Sequence, residues 1–312
     1  MKKIPLIILT GATAVGKTEL SIELAKALDG EIISADSMQV YRGMDIGTAK
    51  IKPEQMQGIR HYLIDEFEPY EEFNVAIFKE KCTDYIMDIN RRGKIPILVG
   101  GTGFYIQAVL YDVDFANTCQ DTEYREKMKK FADTYGVQAL HDKLKEVDKA
   151  SADAIHPNNV KRVIRALEYY NQTGRKISLH NEEARKNSSP YNFRYFVLNL
   201  PRNVLYDRID RRVDIMREEG LEDEVKKLLL EGCTKDMVSM QGLGYKEIIS
   251  ALDGDMTIEE AFEKIKKDTR HFAKRQLTWF RREKQVEWID KDKYGNEEKL
   301  LGYCIERCKG LS

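Results

Sequence analysis

The segment GATAVGKT, residues 11–18, has the residue types and spacing of a phosphate-binding loop. Gly11 and Gly16 let backbone N–H groups turn toward one anion, and the N-terminus of a following helix adds a partial positive charge. Lys17 supplies a full positive charge, and the hydroxyl of Thr18 is suited to Mg²⁺. We therefore predict that a diphosphate or triphosphate contacts the whole loop: Gly11, Ala12, Thr13, Ala14, Val15, Gly16, Lys17 and Thr18.

The loop alone does not say what is attached to the phosphates. Phosphotransferases with such a loop usually carry an acidic residue after another apolar strand, where it helps to hold the magnesium ion. The apolar run IPILVGG (95–101) is followed by Thr102 and has no such residue, whereas HYLID (61–65) ends in Asp65. The sequence therefore weakens an interpretation as a small-molecule kinase but leaves it open.

A second candidate segment, SADSMQVYRGMDIGTAK, covers residues 34–50. Asp36 can accept a proton, and Gln39 offers both a donor and an acceptor, so that with Ser37 they could bind the edge of a nucleic-acid base. The alternative is a cap followed by a turn, which the same residue types favour. The segment by itself does not decide between the two.

Strand-like and helical runs alternate through the first third of the chain. The predicted strands are 5–10, 31–34, 61–65 and 95–101, and the predicted helices are 17–28 and 74–92. Such alternation predicts an α/β fold, a P-loop NTPase-like core whose parallel sheet is flanked by helices. Because ligands bind at the carboxyl ends of parallel strands, we expect the candidate residues to gather at that edge.

The pattern changes at about residue 114, where strand signals give way to polar helices such as 158–174. A strand at 193–200 resumes the α/β pattern, and further helices follow at 203–219, 221–231 and 258–285. We therefore predict an all-helical insertion domain, 114–190, within a core formed by 1–113 and 191–312.

The overall composition is ordinary: 42% of the 312 residues are hydrophobic, and the net charge is −1. A nucleic-acid partner would therefore need locally clustered positive charge. We expect a soluble cytoplasmic protein, since no apolar run is long enough to span a membrane. The cysteines are few and odd in number, which favours a reducing compartment. The five cysteines are Cys82, Cys119, Cys233, Cys304 and Cys308. We expect no zinc site at the C-terminal pair, Cys304 and Cys308.

Five motifs in order resemble those of the tRNA dimethylallyltransferase family: GATAVGKT, DSMQVYRGMDIGTAK, HYLID, GGTGFY and HFAKRQLTWFRR. The resemblance runs from the loop to about Arg282 and includes the helical insertion. Eukaryotic members add a C-terminal zinc finger, whereas this chain ends soon after CIERCKGLS. The chain therefore resembles a bacterial-type member.

The resemblance implies transfer of a dimethylallyl group from dimethylallyl diphosphate to N6 of adenosine 37, next to the anticodon of tRNA. It implies that Asp36 accepts the amine proton and that Thr102 holds the amine or the diphosphate. Ser37, Met38 and Gln39 would fix the adenine, and the loop with Lys17 and Mg²⁺ would hold the leaving diphosphate. Adenosine 37 is stacked in its loop, so we expect extrusion into a pocket.

The leaving diphosphate also needs cations that stabilise its developing negative charge. Arg208 and Arg212, in LYDRIDRRVDIMREEG, lie four residues apart and therefore on one helix face. We predict that Arg212 is the catalytic arginine and that Arg208 assists in binding. Arg211 and Arg217 are weaker candidates, and a solvated basic helix is the alternative.

The segment 264–284 holds nine Lys or Arg residues against two acidic ones. We predict an inward stripe of Phe262, Ile265, Phe272, Gln276 and Phe280. The opposite face would carry the cations. This face, the insertion helix and the turn QGLGYKE together provide the remaining predicted tRNA contacts. These are Val160, Lys161, Arg162, Val163, Ile164, Arg165, Tyr245, Lys246, Lys274, Arg275 and Arg281.

Three alternatives remain open at this point. The first is prenylation of free adenine nucleotides, against which the insertion and the basic helix argue. The second is the small-molecule kinase, and the third is a nucleotide-regulated RNA-binding protein without catalysis, in which Asp36 and Thr102 would be dispensable. For the favoured enzyme we expect Mg²⁺ as cofactor, tRNA and dimethylallyl diphosphate as partners, no membrane association and a monomer.

Overall fold

The computed structural model describes residues 3–113 and 121–311. The predicted start of the insertion at residue 114, and Cys119, lie outside the described residues. Contacts divide the chain into two compact units, Met1–Val109 with Tyr191–Ser312 and Leu110–Pro190. None of the helices in the described part of the chain combines the length and apolarity that crossing a bilayer requires.

The first unit is built on one six-stranded sheet with the order β3-β2-β4-β1-β5-β6. Each neighbouring pair of strands is parallel, as expected for strands joined by helical crossovers. The strands are β1 Ile4–Gly11, β2 Gly30–Ser34, β3 His61–Tyr62, β4 Ile95–Gly100, β5 Tyr191–Asn199 and β6 Glu287–Asp290.

Helices occupy most of the remaining described chain. In the first unit they are α1 Lys17–Ala27, α2 Val75–Arg91, α3 Gly103–Leu110, α9 Arg202–Glu218, α10 Leu221–Leu230, α11 Tyr245–Leu252, α12 Ile258–Phe280 and α13 Glu297–Cys308. Those of the second unit are α4 Thr122–Tyr135, α5 Val137–Val147, α6 Lys149–Ala154, α7 Val160–Thr173 and α8 Ile177–Lys186.

The central strand β1 shows why this sequence forms a sheet covered on both faces. Leu6, Ile7, Ile8 and Leu9 are all fully buried. An uninterrupted apolar run, rather than an alternating one, is the pattern of a parallel strand packed by helices on both sides. The carboxyl ends of β1, β2, β4, β5 and β6 therefore meet at one edge, where the loops can carry polar residues.

The predicted strands at 5–10, 31–34, 95–101 and 193–200 are confirmed to within a few residues. The strand predicted at 61–65 ends at Tyr62, because Leu63 and Asp65 have positive φ angles of 59° and 54°. The helix predicted to reach residue 285 ends at Phe280. The sequence interpretation missed β6, and it took the start of α11 for a flexible turn.

Cys304 and Cys308 lie on α13 and belong to the core that this helix forms with α1 and the sheet. Burial raises the pKa of the Cys304 thiol to about 12 and that of Cys308 to about 11. Cys82 and Cys233 are also buried. These four thiols are therefore core side chains with little thiolate character at neutral pH.

The second unit is an all-helical domain with its own core, which includes Leu140 and Leu144 of α5 and Val163 of α7. Glu168, fully buried on α7, accepts hydrogen bonds from Arg125 and Arg165 at 2.8 Å. Paired in this way, its carboxylate remains ionised, since these arginines hold its pKa below the usual value against the effect of burial.

Candidate active site

The phosphate-binding loop lies between β1 and α1, and two of its residues require glycine. Gly11 has a φ of 146°, and a Cβ placed on it would lie 2.5 Å from the carbonyl oxygen of Leu198. Gly16 caps α1 in the left-handed region with a φ of 88°. Any larger residue would strain the backbone at both positions. The loop thus presents the N-terminus of α1 to the carboxyl edge of the sheet.

Lys17 folds back over the loop. Its ammonium donates to the carbonyl oxygens of Gly11 at 3.1 Å and Ala12 at 2.9 Å. Burial and the nearby positive charge of Arg212 lower the pKa of Lys17 to about 8, while Asp36 acts in the opposite direction. Lys17 is thus a desolvated cation held where an anion on the loop would pair with it.

Both predicted arginines of α9 point into this site. Arg212 donates to the carbonyl oxygen of Thr48 at 3.3 Å, and burial lowers its pKa although Asp36 opposes the shift. A guanidinium nitrogen of Arg208 lies 3.5 Å from the position that a Cβ on Gly16 would occupy. The two weaker candidates lie elsewhere: Arg211 is exposed, and Arg217 pairs with Glu259.

Asp36 follows β2 and forms a turn with its own backbone. One oxygen, Oδ1, accepts from the N–H groups of Met38 at 2.9 Å and Gln39 at 3.3 Å. This is the cap-and-turn arrangement that was the alternative interpretation of the segment. This turn uses the Oδ1 atom of the carboxylate. In the described part of the chain no hydrogen bond reaches the second oxygen, Oδ2. The negative charge of Asp36 raises the pKa of both Lys17 and Arg212, so it lies near these two cations.

The amide of Gln39 is already used within the protein. Its Nε2 donates to the carbonyl oxygens of Thr48 at 3.2 Å and Ala49 at 3.4 Å, and its Oε1 accepts from Ser34 at 3.5 Å. Ser37 and Met38 beside it are half-buried. The structure thus gives Gln39 a bracing role in the 34–50 segment, while a contact between these residues and a base stays a prediction.

Thr102 lies beside Asp36 because β2 and β4 are neighbours. Its N–H donates to the carbonyl oxygen of Ala35 at 3.2 Å, and its own carbonyl accepts from Tyr105 at the start of α3. A Cβ on Gly100 would lie 2.2 Å from that same Ala35 oxygen, so this close approach requires glycine. The GGTG turn therefore holds a partly buried hydroxyl next to the candidate base.

Gln276 of α12 connects two of these loops, a role that sequence reasoning missed. Its Oε1 accepts from the N–H of Thr13 at 2.9 Å, and its Nε2 donates to the carbonyl oxygen of Gly101 at 3.0 Å. The residue is 7% exposed. The only sequence signal was a polar residue within the predicted inward stripe, whose Phe262, Ile265 and Phe280 are indeed buried, with Phe272 partly so.

Two charged side chains fasten the turn that follows Gln39. Glu224 of α10 accepts from the N–H groups of residues 45, 46 and 47 at 2.9, 2.7 and 3.1 Å, and from the Tyr245 hydroxyl. Lys50 is buried and donates to Asp45, Asp65 and the carbonyl oxygen of Tyr41. Asp65, the acid that had kept the kinase interpretation open, therefore pairs with a lysine of the protein.

Tyr245 corrects the prediction of a flexible turn with an RNA-facing aromatic ring. The residue begins α11, is 1% exposed and packs so closely on Gly47 that a Cβ there would lie 2.5 Å from its ring. Its ring therefore cannot contact tRNA in this arrangement. Lys246 is exposed and pairs with Glu247, and its contact with tRNA stays a prediction.

The outer face of α12 is exposed and basic, as predicted. Lys274, Arg275 and Arg281 are exposed. Trp279 packs edge-on against Phe104 with ring centroids 6.1 Å apart, and its Nε1 is buried without a partner among the described residues. These side chains border a hollow lined by His271, Lys274, Arg275, Thr278, Trp279 and Arg282.

In the second unit the predicted tRNA-contacting residues divide between surface and core. Lys161 and Arg162 are exposed, and Val160 is partly exposed. Val163 and Ile164 are buried in the core, which corrects the prediction that their side chains face tRNA. Arg165 is half-exposed and binds Glu168.

Comparison with known proteins places the chain in a sequence family. A family model described as IPP transferase matches residues 39–283, and one described as isopentenyl transferase matches residues 4–70. A tRNA dimethylallyltransferase of Lachnoclostridium phytofermentans is 59% identical over 95% of each chain. One from Clostridioides difficile is 52% identical over 98% of this chain and 97% of its own.

Solved structures agree in fold. The tRNA isopentenylpyrophosphate transferase of Bacillus halodurans is 48% identical, covers 99% of this chain and 98% of its own, and superposes with a TM-score of 0.73. A eukaryotic dimethylallyltransferase described as acting on tRNA is 31% identical, with a TM-score of 0.81. That similarity covers 97% of this chain and 78% of the eukaryotic one.

Proposed function

This chain belongs to the IPP transferase family of tRNA dimethylallyltransferases, and we propose that it transfers a dimethylallyl group from dimethylallyl diphosphate to N6 of adenosine 37 in tRNA. The observation that carries the proposal is the Asp36 carboxylate near two cations, Lys17 and Arg212, beside a phosphate-binding loop. A carboxylate beside a diphosphate site can remove a proton from the attacking nucleophile.

In the proposed reaction the bond from the allylic carbon to the diphosphate oxygen breaks, and its electron pair leaves with the diphosphate. Lys17 and the N–H groups of the loop stabilise this negative charge, and Arg208 and Arg212 stabilise it from α9. Such preorganised donors lower the barrier most where charge develops in the transition state. The loop thus holds a leaving group rather than a phosphoryl donor.

The N6 amine of adenine is a weak nucleophile, because its lone pair is delocalised into the ring. As its bond to the allylic carbon forms, the amine becomes acidic and the second oxygen of Asp36 accepts its proton. A base positioned in this way contributes about 10²–10⁴ in rate. The Thr102 hydroxyl, at the end of the neighbouring strand, orients the amine or the diphosphate.

Mg²⁺ is the cofactor that we propose for this site. The Thr18 hydroxyl is exposed at the start of α1, and no hydrogen bond within the described residues occupies it. Among those residues no group of three or more acidic, His or Cys side chains could hold a metal. This donor set fits an ion that takes most ligands from diphosphate and water. When bound, Mg²⁺ would neutralise charge on the leaving diphosphate.

The tRNA side of the proposal rests on the exposed cations of α12 and of α7. A basic surface on an otherwise neutral protein is what phosphate contacts require. Adenosine 37 would be extruded from its loop to reach Asp36, at a lower cost than for a paired base. We further propose that the enzyme acts in the cytoplasm as a monomer, which light scattering would test against a chain mass of 36.2 kDa.

Separate incubations distinguish this function from the others. Dimethylallyl diphosphate labelled in the allyl group is offered with unmodified tRNA or with AMP, and ATP labelled in its terminal phosphate is offered with tRNA. We expect label from the prenyl donor to enter tRNA alone. Transfer to AMP would indicate the nucleotide prenyltransferase, and phosphoryl transfer without prenyl transfer would overturn the proposal.

A further inference from the structure

Lys291 is a buried lysine that no motif of the sequence singles out. It directly follows β6, the strand at one end of the sheet, and so lies at the same carboxyl edge as the phosphate-binding loop. Its side chain is only 6% exposed. Burying an ammonium group is unfavourable unless it is paired, so a lysine in this place needs a physical reason.

The ammonium group of Lys291 lies against the phosphate-binding loop. Its Nζ is 2.8 Å from the position that a Cβ on Gly16 would occupy, and a nitrogen of Arg208 is 3.5 Å from the same point. Gly16 is the residue whose missing side chain leaves this space open. Two cations from distant parts of the chain thus approach the start of α1, where a bound phosphate group is expected.

The ion-pair partner of Lys291 does not account for its burial. Its Nζ pairs at 2.9 Å with Glu297, the first residue of α13, whose side chain is 57% exposed. A carboxylate in water gains little from an ion pair. Lys291 joins three other cations around the loop, Lys17, Arg208 and Arg212.

We propose that Lys291 is a diphosphate-binding residue whose ammonium donates to a non-bridging oxygen of dimethylallyl diphosphate and of the diphosphate released from it. The proposal rests on the proposed function. Cleavage of the ester adds a negative charge to the leaving group. A further cation on the Gly16 side of the loop, Lys291, stabilises that charge. Lys291 therefore complements Arg212, which approaches from α9.

The test compares Lys291→Met with Lys293→Met as a matched control. Lys293 lies two residues away, is 73% exposed and pairs with Asp290. Calorimetry with inorganic diphosphate and Mg²⁺ measures affinity directly, and steady-state kinetics give KM for each substrate. We expect Lys291→Met to weaken diphosphate binding about ten- to hundred-fold, as for loss of a charged hydrogen bond. The KM for tRNA stays unchanged, and Lys293→Met has no effect.

A second pair of variants separates binding from support of α13. Glu297→Gln removes the ion pair but keeps Lys291, so it should retain or increase diphosphate affinity. Lys291→Arg keeps the charge and should preserve most of the binding, which shows that the chain still folds with this residue changed. Equal losses in Glu297→Gln and Lys291→Met, or unchanged affinity in Lys291→Met, would overturn the proposal. Absence of prenyl transfer by the wild-type enzyme would instead overturn the proposed function.

Discussion

Gln276 accepts a hydrogen bond from the backbone N–H of Thr13 at 2.9 Å, which ties α12 to the phosphate-binding loop. Its Nε2 donates to Gly101, in the turn that carries Thr102. The buried amide of Gln276 therefore sets the spacing between the loop proposed to hold the diphosphate and the turn whose Thr102 is proposed to orient the amine. Because α12 also carries the exposed cations proposed to contact tRNA, the same helix contributes to both substrate sites.

Gln276→Glu should lower kcat/KM for dimethylallyl diphosphate by at least about ten-fold. The carboxylate cannot donate to Gly101, and it adds a negative charge beside the loop, at a cost of about 1–3 kcal/mol. Steady-state kinetics with saturating tRNA measure the effect. Gln241→Glu makes the same change at an exposed position and should leave the kinetics unaltered. Equal kinetics for the two variants would show that the Gln276 bridge is dispensable.

Asp36→Asn should lower the single-turnover rate by about 10²–10⁴. The amide oxygen can still accept from Met38 and Gln39, so the turn is preserved, but the side chain can no longer accept a proton. Removing this negative charge near Lys17 and Arg212 should keep or strengthen diphosphate binding. A variant with unchanged turnover would remove Asp36 from the role of base.

Diphosphate binding should take up a proton above neutral pH. Free Lys17 has a pKa lowered to about 8, and a bound anion raises it again. Affinity therefore falls as the pH rises through about 8, because the neutral amine must first be protonated. Calorimetry at pH about 8.5 in buffers of different ionisation enthalpy measures this uptake. Lys17→Arg, which stays charged, should show less uptake; equal values for both proteins would contradict the assignment.

Glu224→Gln should destabilise the protein by roughly 1–3 kcal/mol, because it weakens the charged acceptor of three backbone N–H groups and of the Tyr245 hydroxyl. Glu222→Gln on the same helix removes only a solvent-exposed pair with Lys226, so it should destabilise the protein much less. Chemical denaturation compares the two free energies of unfolding. Similar losses would mean that the turn at residues 45–47 does not depend on Glu224.

Lys274→Met should raise the KM for tRNA and reduce the slope of log affinity against log salt by about 0.7–0.9, as for loss of one phosphate contact. The KM for dimethylallyl diphosphate should not change, because this side chain is exposed on the outer face of α12. Lys264→Met is the control, since Lys264 lies earlier on the same helix and is paired with Asp268. An unchanged salt dependence in Lys274→Met would remove this lysine from the tRNA surface.

The sheet was predictable because its central strands are uninterrupted apolar runs bounded by glycines and polar caps. The strand β6 was not, since of its four residues only Ile289 is fully buried and it becomes a strand by pairing with β5. Motif spacing likewise located Lys17, Asp36 and Thr102. The contacts of Gln276 span 263 and 175 residues of sequence, so no local pattern could reveal them. The place of Lys291 beside Gly16 similarly depends on the order of the strands.

In the proposed reaction the loop holds a diphosphate leaving group while Asp36 takes the proton of an adenine amine. The most direct measurement is mass spectrometry of nucleosides and oligonucleotides from unmodified tRNA incubated with dimethylallyl diphosphate, Mg²⁺ and either wild-type enzyme or Asp36→Asn. We expect N6-dimethylallyladenosine at position 37 with the wild type, and a rate lower by about 10²–10⁴ with the variant. Unmodified tRNA after incubation with the folded wild-type enzyme, or modification at another position, would contradict the account.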